Sequence, residues 1–304
     1  MTPSQTAPLS RGVWAVVATP FTPSQDVDPH SLARLVQHYT AIGVTGLTVL
    51  GVFGEASSLT QDERTLVLRT AAEHSPLPIV AGVTAAATAP AIEEIEVITK
   101  AVGERARAAM VQVNSANPDV VCGHLHAIHA ATGAAIVLQD YPVASGVSIS
   151  TDNLIQVVND CPFICAVKAE APPTAAAIAA IAAATPASVF GGLGGQSLLD
   201  ELAAGSAGAM TGFSFPEALV ACVSSWLAGE GEGARAALTP FLPLINFEQQ
   251  PRIALALRKD LFARRGLFAE RIVRAPGQPF PAQLEHLAAE HLARATALLP
   301  TLGA

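Results

Sequence analysis

Eight short apolar runs rich in β-branched residues recur along this 304-residue chain, spaced roughly 20–30 residues apart. They occupy residues 13–19, 46–50, 78–83, 109–113, 134–138, 163–167, 188–191 and 208–211. Between them lie longer stretches with helical spacing, at 29–42, 61–74, 91–105, 120–131, 151–159, 173–184 and 197–204. In the first stretch Leu32, Leu35, Val36 and Tyr39 share a face; in the second Leu66, Val67 and Ala71 do, behind a Thr60/Glu63 capping box. Parallel strands need crossover connections, so strict strand–helix alternation of this length specifies an α/β chain with a parallel sheet. Eight units predict closure into a (β/α)8 TIM barrel. The competing reading is an open dinucleotide-binding sheet, but no GxGxxG follows the first run, which ends in Thr19-Pro20-Phe21.

Beyond residue 216 the pattern is helical only. Residues 216–228 are expected to close the barrel as its eighth helix. Residues 233–241, 251–264 and 281–299 are expected to form a C-terminal helical extension. The expected division is a barrel over 1–228 and an extension over 229–304, packed on it as one structural unit and available for oligomer contact.

Composition narrows the function class. Net charge is −8 and charged residues make up 14% of the chain, which argues against a nucleic-acid partner. No run is long and apolar enough for a membrane span, and the N-terminus lacks the basic-then-apolar pattern of a secretory leader. A cytoplasmic enzyme with a small-molecule substrate is the expectation. Cys122, Cys161, Cys165 and Cys222 form no CxxC pair and read as buried thiols. His124, His126 and His129 do not share one helix face, so they read as helix surface; no metal and no cofactor are expected.

Lysine is scarce: Lys100, Lys168 and Lys259 are the full set. Lys100 sits among Glu93, Glu94, Glu96 and Glu104, and Lys259 within Arg258-Lys259-Asp260; both read as solvated helix faces. Lys168 instead ends the sixth apolar run, where a barrel strand meets its active face. No other lysine or arginine occurs between Arg107 and Arg235. Burial favours the neutral form of an amine, and a neutral amine is the nucleophile that forms a Schiff base. The structural alternative is an ion pair with Glu170 at the rim.

Other loops at strand ends carry candidate ligand contacts. Gly51-Val52-Phe53-Gly54-Glu55 follows the second run, and backbone N–H groups of such a turn can bind a carboxylate. Gln139-Asp140-Tyr141-Pro142, with Ser145-Gly146 after it, follows the fifth and offers polar groups to orient a substrate. Gly191-Gly192-Leu193-Gly194-Gly195 follows the seventh run, and Thr211-Gly212 ends the eighth. With no basic residue near the glycine loop in sequence, it is read as accepting a small carboxylate or hydroxyl group.

Taken in order, these motifs resemble the dihydrodipicolinate synthase/N-acetylneuraminate lyase superfamily. The resemblance rests on Thr19-Pro20-Phe21, Val27-Asp28, the Gly51…Gly54-Glu55 loop, Leu59-Thr60 with Glu63-Arg64, Lys168, and Gly205-Ser206-Ala207-Gly208-Ala209-Met210-Thr211-Gly212. It implies a class I lyase on a TIM barrel with C-terminal helices, a homotetramer or dimer, and a Schiff base between Lys168 and a 2-oxo acid such as pyruvate. Val52 and Phe53 replace the two hydroxyl residues usual in that family's glycine loop. Gln139 stands where its tyrosine after strand five belongs, and Ala144 where the synthase has an arginine. No tyrosine occurs in Asn114-Ser115-Ala116-Asn117. These departures speak against dihydrodipicolinate synthesis. Gln139-Asp140-x-Pro142, Lys168-x-Glu170, the glycine loop and Leu244-Ile245-Asn246 are similar to the 2-keto-3-deoxy-sugar-acid dehydratases. That implies catalytic roles for Lys168, Glu170, Gln139 and Tyr141, and substrate contacts from Gly51, Val52, Phe53, Gly54, Glu55, Ser145, Gly191, Gly192 and Thr211. A pyruvate-dependent aldolase or dihydrodipicolinate synthase-like enzyme, and a non-catalytic 2-oxo-acid-binding barrel, are the alternatives.

Overall fold

The computed structural model describes residues 6–303. Residues 1–5, part of the N-terminal stretch read as lacking a leader, lie outside the described residues. All eight apolar runs are strands: β1 (Gly12–Val16), β2 (Gly46–Val49), β3 (Ile79–Gly82), β4 (Ala106–Gln112), β5 (Ile136–Asp140), β6 (Ile164–Ala169), β7 (Ser188–Gly191) and β8 (Gly208–Thr211). They pair in parallel in sequence order, and β8 closes on β1.

The connecting helices are α1 (Pro29–Ala41), α2 (Gln61–His74), α3 (Thr88–Val102), α4 (Pro118–Thr132), α5 (Pro142–Ser145), α6 (Thr151–Asp160), α7 (Thr174–Ala184), α8 (Leu198–Ala203) and α9 (Pro216–Leu227). Four more follow: α10 (Gly231–Leu238), α11 (Leu242–Glu248), α12 (Ala254–Arg264) and α13 (Glu285–Leu298). The single turn α5 and helix α11 were not expected from periodicity; both begin at or next to a proline and are too short to display a period. Among the described residues, no helix is long and apolar enough to cross a membrane.

Local signals set the helix starts. Asp28 caps α1 by accepting from His30 and Ser31 N–H, with Pro29 in the first turn. Thr60 and Glu63 form the expected reciprocal box on α2. Leu32, Leu35, Val36 and Tyr39 are buried as the spacing predicts. Leu66 is not: it is 41% exposed, and α2 instead buries Val67, Leu68 and Ala71.

The pleat divides the core in two. Residues alternate across a strand, so Trp14, Val16, Val80, Met110, Val137, Ala166, Phe190 and Met210 fill the barrel interior. Val13, Ala15, Leu47, Val49, Ile79 and Ala81 face outward and pack with the helices. Each buried Val, Leu, Ile, Phe or Met among them contributes about 1.5–3 kcal/mol. Cys161, Cys165 and Cys222 are buried thiols as expected, whereas Cys122 is only half-buried. His124 is a correction: it is buried under α4, with Nδ1 2.9 Å from Thr88 Oγ1, whereas His126 is exposed.

A larger correction concerns Arg258-Lys259-Asp260 on α12. These residues are not a solvated face; their exposures are 8%, 0% and 1%. Successive helical residues point about 100° apart, so all three can be buried only where a helix is enclosed on most sides. Each meets opposite charge. Arg258 Nε lies 3.1 Å from Glu248 Oε2. Lys259 Nζ bonds the Glu55 carboxylate, donates to the Ile272 carbonyl at 2.9 Å and sits 4.3 Å from the Phe21 ring centroid. Asp260 accepts from Arg264 and Arg271, both at 2.6 Å. Burial holds the Lys259 ammonium down to about 8, against the opposing pull of Glu55. Arg274 completes the seam, with its N–H on Glu55 Oε2 at 2.9 Å and its guanidinium on Glu63.

Candidate active site

Three polar side chains cap the interior of the barrel at the C-terminal ends of adjacent strands. Gln112 of β4 pairs in register with Gln139 of β5, and Gln139 with Lys168 of β6. They stand directly above Met110, Val137 and Ala166, so the inward face changes from apolar to polar in one layer. Phe190 of β7 neighbours Lys168 on the other side.

Glu170 lies two positions past Lys168, and the pleat returns it to the same face. Its Oε2 is 3.1 Å from Lys168 Nζ and accepts from Gln139 Nε2 at 2.7 Å. Its Oε1 faces the Leu193 N–H at 3.4 Å. Lys168, Glu170 and Gln139 are 6%, 5% and 2% exposed, so the pair is held away from bulk water. The ion pair and the strand-end lysine, read from sequence as alternatives, thus coexist in one arrangement.

Two glycines of the loop after β7 make room for carboxyl groups. A Cβ on Gly192 would collide with the Glu170 carboxylate, and one on Gly191 with that of Glu201. Glu201, buried behind β7, accepts from the Thr174 hydroxyl at 2.7 Å. Burial, together with the charge of Glu170, pushes its carboxyl up to about 7. Asp140, on the outward face of β5, is buried as well, and burial and Glu170 push it up to about 6. Glu170, Glu201 and Asp140, three carboxyls around one strand junction, make protonation states here mutually dependent.

The loop after β2 is a short turn, Val52–Gly54, braced by Thr19 Oγ1 donating to the Gly54 carbonyl at 2.7 Å. Val52 is 50% exposed, and the Phe53 ring covers the α-carbon of Gly212. Thr211 accepts from the Gly194 N–H at 2.7 Å. Gly51, Val52, Gln112, Gln139 and Ala144 line a cavity of about 310 Å³, so an alanine occupies the rim where the synthase-type arginine is absent. Tyr141 is half-buried at this rim, where burial and the Glu170 charge raise its phenol above the ordinary range.

Two of the expected contacts use their polar groups elsewhere. The Glu55 carboxylate binds Lys259 and the Arg274 N–H, at the seam between the barrel and the C-terminal helices. Ser145 Oγ donates to the Tyr141 carbonyl and accepts from the Val147 N–H, closing its own turn. Gln112 was missed, although the alternation that marks Met110 as inward marks it too. Glu201, Arg258 and Gln249 carried no local signal. Moreover, the glycine loop is not without basic company: Arg258 Nη2 lies 2.8 Å from where a Gly194 Cβ would stand. Among the described residues no group of three or more histidine, cysteine, aspartate or glutamate side chains is arranged to hold a metal ion.

Comparisons with known proteins bear on the family and the fold. The model of the dihydrodipicolinate synthetase family matches residues 9–294. The chain is 29% identical over 306 residues to the L-2-keto-3-deoxyarabonate dehydratase of Azospirillum brasilense, covering 98% of this chain and 97% of that one. It is 30% identical over 246 residues to a 4-hydroxy-tetrahydrodipicolinate synthase from a Synechococcus species, covering 79% of this chain and 80% of that one. The crystal structure of dihydrodipicolinate synthase from Rhodopseudomonas palustris superposes with a TM-score of 0.87 at 27% identity, over 95% of this chain and 100% of that one. With its closed barrel, strand-six lysine and end-to-end family match, the chain belongs to the dihydrodipicolinate synthetase family, a group of class I lyases and aldolases.

Proposed function

We propose that this protein is a Schiff-base lyase that dehydrates a 2-keto-3-deoxy sugar acid. The observation that carries the reading is the buried Lys168–Glu170 contact of 3.1 Å at the barrel mouth, with Glu170 oriented by Gln139. Glu170 accepts a proton from the Lys168 ammonium, and the free amine adds to the C2 ketone. Loss of water from that adduct gives an iminium, which draws electrons from C3. A base removes a C3 proton, and the C4 hydroxyl leaves as water after taking up a proton. Hydrolysis of the conjugated iminium then releases the product and restores Lys168. Glu170 is the base nearest the nitrogen. Gln139 and Tyr141 orient substrate hydroxyls.

The substrate carboxylate is assigned to the Gly51–Val52–Phe53–Gly54 turn. Its first N–H groups have no partner within so short a turn, whereas those of Gly54 and Glu55 close onto Gly51 and Val52. Gly191, Gly192 and Thr211 bound the opposite wall. Dehydration is favoured over dihydrodipicolinate synthesis by Gln139 and Ala144 at the rim, and by the near-full-length likeness to a 2-keto-3-deoxyarabonate dehydratase. We also assign a homo-oligomeric state, as the family resemblance implies.

Borohydride reduction in the presence of pyruvate or 2-keto-3-deoxy sugar acids, read by intact mass, tests the imine. Wild type gains the mass of the reduced adduct and Lys168→Ala does not. Pyruvate released from a sugar acid would make the enzyme an aldolase; binding with neither adduct nor turnover would make it a sensor.

A further inference from the structure

A buried acid without a cation stands behind the glycine loop. Glu201 of α8 is 1% exposed. Its Oε1 accepts from the Thr174 hydroxyl at 2.7 Å, and its Oε2 is shielded from solvent with no hydrogen-bond partner. Among the described residues, the groups that act on this carboxyl are Thr174, Glu170 and Asp200, and none is a cation. Helix α7 and strands β7 and β8 pack on α8, and none of the three carries a titratable side chain. A carboxylate buried among such neighbours is costly, so the neutral acid is favoured.

Two glycines bring this acid to the mouth. Gly191 and Gly192 are consecutive, with α-carbons about 3.8 Å apart. A Cβ on the first would collide with the Glu201 carboxyl, and one on the second with that of Glu170. Glu170 lies on the interior side of this strip of bare backbone, 3.1 Å from Lys168 Nζ, and Glu201 lies on the helix side. Little but peptide separates Glu201 from the ion pair, and both carboxyls are sealed from bulk water. A charge gained at Glu201 is therefore felt at the pair with little screening.

We propose that Glu201 is a positioning residue of the Schiff-base site, acting through Glu170. As a neutral acid it adds no charge to the Glu170–Lys168 pair; once ionised it raises the proton affinity of the pair and keeps the amine as ammonium. This rests on the Schiff-base reading of Lys168. Thr174 sets where the change occurs, because its hydroxyl favours the ionised form of Glu201.

The test measures the half-saturating pyruvate concentration for cyanoborohydride trapping from pH 6 to 9, in wild type, Glu201→Gln and Thr174→Val. Glutamine keeps the shape of glutamate and an acceptor for Thr174, but no charge. The half-saturating concentration of wild type, divided by that of Glu201→Gln, is expected to be near one at pH 6 and about 3-fold or more at pH 8. The rise should be centred near pH 7, where Glu201 ionises. Asp140, which acts on Glu170 from β5, is common to both proteins and largely cancels in the ratio. For Thr174→Val, taken against the same Glu201→Gln reference, the rise should move to higher pH, a displacement that a merely structural contact would not cause. A ratio that stays constant with pH in wild type would overturn the inference and leave the Schiff base standing. So would a rise left in place by Thr174→Val. Absence of any adduct would overturn the Schiff base and this inference together.

Discussion

Lys168 and Lys259 are both buried, and each touches a glutamate. Their surroundings differ in what is left open. Lys259 is enclosed: Glu55, the Ile272 carbonyl and the Phe21 ring occupy its ammonium, and its exposure is 0%. Lys168 has one carboxylate neighbour, shared with Gln139 and Leu193, and stands at the rim of the barrel's polar layer. The more strongly sealed lysine, with its ammonium held down to about 8, is the one that joins the C-terminal helices to the barrel. Burial alone therefore does not mark a nucleophile. What sets Lys168 apart is its position at a strand end, facing the mouth, on which the proposed Schiff-base role rests.

This contrast can be broken or sharpened by substitution. The largest expected effect is at the mouth. Glu170→Gln removes the proton acceptor beside Lys168, and dehydration per folded molecule should fall about 10²–10⁴-fold. A variant with unchanged turnover would move the base to another residue. Lys259→Met should do the reverse. It leaves the Glu55 charge buried without its ammonium, which costs about 3–5 kcal/mol in denaturant unfolding. The folded fraction should still form the borohydride adduct at Lys168; loss of the adduct would make the seam part of the chemistry.

A smaller effect is expected from pH. Lys259 titrates near 8 in the fold and near 10.5 in a free side chain. Below pH 8 it is protonated in both states, and the burial penalty is fully present. Between pH 8 and 10.5 the unfolded chain binds more protons, so raising the pH favours the fold. The stability of wild type relative to Lys259→Met should therefore rise from pH 8 to 10, by up to about 3 kcal/mol. A falling difference would show that attraction to Glu55 outweighs burial. The smallest effect belongs to the third lysine. Lys100 is exposed on α3, and Lys100→Ala should change stability by no more than about 0.5 kcal/mol, with turnover unaltered.

The legibility of the two lysines in the sequence follows from the same physics. Lys168 could be recognised because its setting is local: an apolar run, its end, and a glutamate two residues on. Gln139 was legible for the same reason. Lys259 was misread because Arg258-Lys259-Asp260 has the polarity of a surface turn of helix. What buries it is Glu55, 204 residues away, together with Phe21 and Ile272. Glu55 was misplaced by its sequence neighbours, which do face the mouth; a backbone in the left-handed region at Glu55, φ 54°, turns its side chain to the seam instead.

By itself, then, the sequence determined the periodic features: eight strands, their crossover helices, the inward alternation that brings Gln139, Lys168 and Glu170 to one face, and the caps of α1 and α2. Each depends on residues a few positions apart, where side-chain period and hydrogen-bond reach leave little choice. Only the tertiary structure decided where charges without a local period would go. It sent Glu55 and Lys259 to a buried seam, folded Glu201 behind β7, and carried Arg258 and Gln249 to the glycine loop. Those contacts join segments tens to hundreds of residues apart, and a buried charge takes whichever partner the closed barrel brings within reach.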